Sequence, residues 1–207
     1  GDMENWDATE TAQRIAYGEV SASEVIQSAI QRMNTWNPKL NALTHFDPEG
    51  ALHAAKSPGS GVFAGVPTVV KDLEDLKGVP TRCGTQAFHP GPAKRHADTV
   101  AQFLNTGLIS LGKTTTSEFG LTATVEPVGG KPTTNPVNMD HTAGGSSGGS
   151  AALVAAASSA ALAAAASAAA FTAAASASAA AFTAAASSAA AARSAATSAC
   201  AAAFNAA

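Results

Sequence analysis

All 18 glycines and all 10 prolines of this 207-residue chain lie within its first 150 residues. Chain reversals lean on these residues, because glycine supplies positive φ and proline a fixed φ at turns. The turn residues that a compact fold of several elements needs therefore all lie in that segment. Residues 151–207 comprise 36 Ala and 9 Ser in 57 positions, with no acid and a single base, Arg193. For burial they offer chiefly Leu153, Val154, Leu162, Phe171, Phe182 and Phe204, too little branched or aromatic volume for a core.

At the junction, residues 142–150 read Thr-Ala-Gly-Gly-Ser-Ser-Gly-Gly-Ser. Such a run can be a flexible linker. It can equally be a turn feeding a helix, since Ala151-Ala152-Leu153-Val154 follows as a helix start. Hydroxyls and bare N–H groups would then sit beside a positive helix end, where a developing anion is stabilised. It is no phosphate loop, because it lacks the Gly-Lys-Ser/Thr ending that grips phosphates.

A second segment, Gly65-Val66-Pro67-Thr68-Val69-Val70-Lys71-Asp72, ends an apolar β-branched run on a lysine. By itself such a lysine reads as a solvated surface charge. Between the two segments stand Asp98-Thr99-Val100, Leu108-Ile109-Ser110-Leu111-Gly112-Lys113-Thr114 and Ser117-Glu118-Phe119. In order and spacing, from about residue 7 to about 157, these blocks resemble the amidase signature family of serine hydrolases. The resemblance implies an α/β fold, a mixed central β-sheet wrapped by helices, whose C-terminal part is incomplete or unreadable here.

The resemblance also implies a Ser-cisSer-Lys triad. Lys71 corresponds to the terminal base, and Ser146 to the bridging serine that follows a non-proline cis peptide. The chemistry is coherent. A serine hydroxyl is a poor nucleophile until a base takes its proton. Lysine serves as that base only when neutral, which burial promotes. A hydroxyl between them can donate and accept together. The family's nucleophile falls 24 residues after the bridge, which is Ala170 in this chain. A methyl group cannot attack a carbonyl, so the expectation is serine at position 170 in the true sequence. Ser167, three positions early, is not promoted to the role.

The domain reading follows: residues 1–157 form the N-terminal part of an amidase signature domain. Residues 158–207 are read as an Ala/Ser-rich continuation, placeholder residues for the same domain. Two other readings of the tail remain. Phe171-Thr172-Ala173-Ala174-Ala175-Ser176 recurs at Phe182, an 11-residue period compatible with a long alanine-rich helix. A membrane span would need the Leu/Ile/Val density and the aromatic and basic flanks that are missing.

A net charge of −3 gives no basic face for nucleic acid. Two cysteines, Cys83 and Cys200, make no disulfide framework. No basic-then-apolar N-terminal segment suggests export, so a cytoplasmic location is expected. His45, His53, His89, His96 and His141 lack metal-ligand spacing and read as surface or loop residues. The resemblance implies no metal and no cofactor. The expected partner is a small-molecule amide, with no nucleic acid and no membrane; a homodimer is compatible. The activity implied is hydrolysis of a carboxamide C–N bond in a linear amide through an acyl-serine. One alternative is an amidotransferase A-type subunit releasing ammonia from glutamine. Another is a catalytically dead Ala-rich structural or binding protein.

For local structure, residues 7–33 predict two helices around Gly18, the second opened by a capping box at Ser21 and Glu24. Asn37-Pro38 predicts its end. Residues 40–46 and 68–70 read as strands, 99–105 as a helix capped by Asp98, and 108–111 as a buried strand. Asp72-Leu73-Glu74-Asp75 reads as a solvated turn, with Asp72 placed to orient the lysine strand. Arg82 and Cys83 are candidates to line a pocket.

Overall fold

The computed structural model describes residues 2–157, Phe88 excepted. The tail from 158 onward, and with it position 170, lies outside the described residues.

Helix α1 (Ala8–Ala16) is capped by Asp7, whose carboxylate accepts the Glu10 N–H at 2.8 Å. Helix α2 (Ala22–Leu40) opens with the full capping box: Ser21 Oγ accepts the Glu24 N–H, and the Glu24 carboxylate accepts the Ser21 N–H. Its Val25, Ile26, Ala29 and Ile30 stripe is buried, as helical spacing requires.

Pro38 does not end α2, contrary to the sequence expectation. The helix runs on to Leu40, which is completely buried, and stops at Asn41 in the left-handed region at φ 51°. Proline costs the helix one N–H bond, but in the last turn little helix remains to break. The Asn37 side chain then receives the N–H groups of Ala42 and Leu43 at 2.9 and 3.0 Å, guiding the chain out. The strand expected from residue 40 therefore begins later.

Strands β1 (Leu43–Phe46), β2 (Pro67–Lys71) and β3 (Ile109–Thr114) form a mixed sheet in the order β1-β3-β2. β1 runs antiparallel and β2 parallel to β3, with Lys71 opposite Thr114. Helix α3 (Pro48–Ala55) follows β1, with Asp47 as N-cap and proline in the first turn. Helix α4 (Asp98–Leu104) lies in the crossover from β2 to β3. Asp98 is not its cap. The Ala97 N–H is held by the Asp75 carbonyl at 2.9 Å, so the helix starts from Ala97 and Asp98 falls inside the first turn, paired with Arg95 at the surface.

The sheet has a core on each face. Ile109 and Leu111 of β3 pack with Ile26 and Ile30 of α2 and Ala51 and Ala55 of α3. On the other face, Val70 packs with Leu76, Val79 and Val100 of α4. A third cluster joins Leu40 and Ala42 to Ala152, Leu153 and Ala156 of helix α5 (Gly148–Ala157). The expected mixed sheet with helices on its faces is thus present. A short hairpin, β4 (Thr134–Asn135) and β5 (Asn138–Thr142), leads into α5. Among the described residues, no helix is long and apolar enough to cross a membrane.

Candidate active site

β2 and β3 run parallel, so their carboxyl ends lie together, and the loop before α5 crosses them there. In open sheets ligands gather in the crevice outside such strand ends. Lys71 is the last residue of β2. Its Nζ donates to Ser146 Oγ at 2.6 Å, across 75 residues of sequence. Burial pushes the Lys71 ammonium below its ordinary value, while the nearby Glu74 carboxylate works in the opposite direction. The Gly145–Ser146 peptide bond is cis.

The glycine-serine run is not a linker. The Gly149 N–H donates to the Thr115 carbonyl at 3.3 Å, and the Ser117 N–H donates to the Ser146 carbonyl at 3.3 Å. A Cβ on Gly149 would strike Thr115 Oγ1 and come within 2.6 Å of the Ala42 carbonyl oxygen. The glycine is there because helix α5 starts directly against the end of β3. The three serines of the run separate in role. Ser146 meets Lys71, Ser147 is exposed at the helix start, and the Ser150 hydroxyl contacts Thr114 Oγ1 at 2.8 Å. Position 170 lies outside the described residues, so the structure joins two of the three sequence-derived positions.

Asp72 departs from expectation. It is completely buried, not part of a solvated turn, and its Oδ1 lies 2.6 Å from Nζ of Lys113, itself completely buried. Lys113 has two further acceptors, the Pro80 carbonyl at 3.1 Å and Thr81 Oγ1 at 2.7 Å. Three donors thus meet three acceptors, which is how a buried ammonium is tolerated. Sequence reasoning passed over Lys113 as a site residue. No local signal marked it, because the strand expected over 108–111 stops short of Lys113 and its burial appears only in the folded sheet. Arg82 lines a cavity of about 190 Å³ together with Asp72, Thr115 and Thr116. Cys83 sits half-buried in the left-handed region at φ 53°, and its carbonyl accepts the Phe119 N–H at 2.7 Å.

A mixed α/β sheet thus presents a lysine, at its parallel strand ends, to a serine in a glycine-rich helix entry. The Amidase family profile matches residues 24–169. The chain belongs to the amidase signature family. It is 43% identical over 144 residues to the provisionally named amidase AmiC of Mycobacterium leprae (strain TN), covering 70% of this chain and 30% of that protein. It is 36% identical over 152 residues to the A-type subunit of the glutamyl-tRNA(Gln) amidotransferase of Salinispora tropica, covering 70% of this chain and 31% of that protein. Among solved structures, 6-aminohexanoate cyclic dimer hydrolase superposes with a TM-score of 0.69 at 34% identity, over 76% of this chain and 33% of that one. The chain therefore spans about 30% of the length of the curated relatives it matches.

Proposed function

We propose that this chain supplies the base and the bridging hydroxyl of an amidase that cleaves the C–N bond of a linear carboxamide through an acyl-serine. The observation that carries the reading is the Lys71 Nζ to Ser146 Oγ contact at 2.6 Å. As an ammonium, Lys71 donates along this line. As a neutral amine it takes the Ser146 proton along the same line, and the Ser146 oxygen in turn takes a proton from the nucleophile. Lowering of the Lys71 pKa by burial favours the neutral form the step needs. The nucleophile attacks the amide carbonyl, the amine leaves with a proton returned through Ser146, and water then releases the acyl group. The amide itself is the small-molecule partner. The same reading places the protein in the cytoplasm, without nucleic acid or membrane as partner.

The sequence reads Ala170 at the position the nucleophile would occupy, so the proposal requires serine there in the intact enzyme. A fluorophosphonate probe on protein from its native source, followed by peptide mapping and intact mass, tests this. Labelling 24 residues beyond Ser146 supports the reading. Alanine at that position on protein of 20.3 kDa makes the chain catalytically dead and favours a structural or binding role. Release of ammonia from glutamine is the second reading, supported by the amidotransferase relative. The higher identity to the amidase favours simple amides. Glutaminase activity without activity on simple amides would reverse that preference.

A further inference from the structure

We propose that the buried Asp72–Lys113 pair is a positioning device that aims the Lys71 amine at Ser146. The inference rests on the reading of Lys71 as base and adds residues to it. Lys71 pairs with Thr114 at the end of the parallel ladder, and Val70 pairs with Lys113. Side chains alternate along a strand, so Val70 and Asp72 share the face opposite Lys71. The pair therefore clamps the strand end from behind.

The clamp reaches both partners of the Lys71–Ser146 contact. On the base side, the Asp72 N–H donates to the Thr114 carbonyl at 3.1 Å, locking the residue next to Lys71 onto β3. On the serine side, the pair gathers the loop after β2. Pro80 and Thr81 accept from Lys113, Asp72 Oδ1 accepts the Arg82 N–H at 3.3 Å, and the Asp72 carbonyl accepts the Cys83 N–H at 3.1 Å. Cys83 then holds the Phe119 N–H, and Ser117, two residues back, donates its N–H to the Ser146 carbonyl. The side-chain pair thus holds the loop at Pro80, Thr81 and Arg82, while main-chain bonds of Asp72, Cys83 and Ser117 tie that loop and the strand end to both sides of the contact. Stability alone does not call for charges here, since apolar residues of similar volume commonly serve a core as well.

Among the described residues, the charged surroundings of Lys71 are few. Glu74 follows in the turn, and Asp72 and Lys113 lie behind. Helix α5, packed on β2, carries no charged residue. Helix α2, also against β2, carries Glu24, Arg32 and Lys39, and Arg32 lines a cavity with Pro67, Thr68 and Val69 at the far end of the strand.

The test uses the intact enzyme with lysine labelled at Cε and Nζ, the Lys71 signal being assigned with Lys71→Arg. In wild type this signal is expected to titrate below the ordinary lysine value. In the double variant Asp72→Leu/Lys113→Met, one positive and one negative charge leave together, so direct charge effects on Lys71 largely cancel. The expected result is a folded protein, by circular dichroism and thermal melting, whose Lys71 midpoint moves upward by at least half a pH unit as its amine gains solvent. A folded double variant with an unmoved midpoint overturns the proposal. Should the double variant not fold, Thr81→Val carries the test, because it removes one acceptor at a half-buried site. It is expected to move the midpoint in the same direction, and no movement overturns the proposal. An ordinary lysine titration already in wild type would instead defeat the assignment of Lys71 as base.

Discussion

Lys71 opposes the fold that positions it. Its pKa lies below the ordinary 10.5 because burial disfavours the charged amine, with Glu74 opposing the shift. Between the lowered value and 10.5 the unfolded chain binds more protons than the folded one, so this group makes stability rise with pH across that window. Below the window it is a constant penalty. Lys71→Met is therefore expected to raise the thermal midpoint at pH 7, with a gain that shrinks as pH approaches 10.5; melts at several pH values check this. Activity should follow the same titration. Hydrolysis by the intact enzyme is expected to climb with pH as Lys71 loses its proton, and a flat kcat/KM profile above neutrality would contradict the assignment. Ser146→Ala should cost about 10²- to 10⁴-fold in turnover, the range expected when a proton-transfer group is lost. Ser147→Ala and Ser150→Ala should cost far less, because neither hydroxyl is the one that meets Lys71.

At the scale of elements, two junctions dominate. Helix α5 begins so close to β3 that Gly149→Ala forces the backbone of Ala42 or Thr115 to move. A loss of about 1–3 kcal/mol is expected from such overpacking, read from the denaturant midpoint. The β2–β3 junction holds the ion pair. Lys113→Met alone leaves the Asp72 carboxylate buried without its partner, and about 3–5 kcal/mol should be lost. The elements differ in how far the sequence announced them. The capping box at Ser21 and Glu24 and the stripe through Val25, Ile26, Ala29 and Ile30 are local patterns, and α2 was legible from them. Its end was not, because burial of Leu40 and the Asn37 side-chain bonds outweigh the local effect of Pro38. Asp47-Pro48-Glu49 carries an N-cap, a first-turn proline and an acid, so the signal for α3 was present but unused. The β4–β5 hairpin has no apolar alternation, and β5 is largely exposed, which left periodicity nothing to detect.

Across the whole molecule, the Lys71 and Ser146 positions were legible only through the order and spacing of the runs that carry them, which resemble the amidase signature family. The Asp72–Lys113 pair was not, because its meaning depends on strand register. Lys113 looks like any surface lysine until β2 is laid beside β3 and Asp72 comes within reach. The two cores on opposite faces of the sheet fix that register, so pairing and packing are one problem. The separation of Lys71 from Ser146 has a consequence for synthesis of the chain. A nascent polypeptide that has emerged only through β3 already holds β1, β2 and β3. Its Lys71 amine still has no serine to meet. The amine gains the Ser146 hydroxyl only when the segment leading into α5 arrives and docks. Until then the growing chain carries a lysine without its hydroxyl partner, and the Lys71–Ser146 contact forms only with the last described helix to be made.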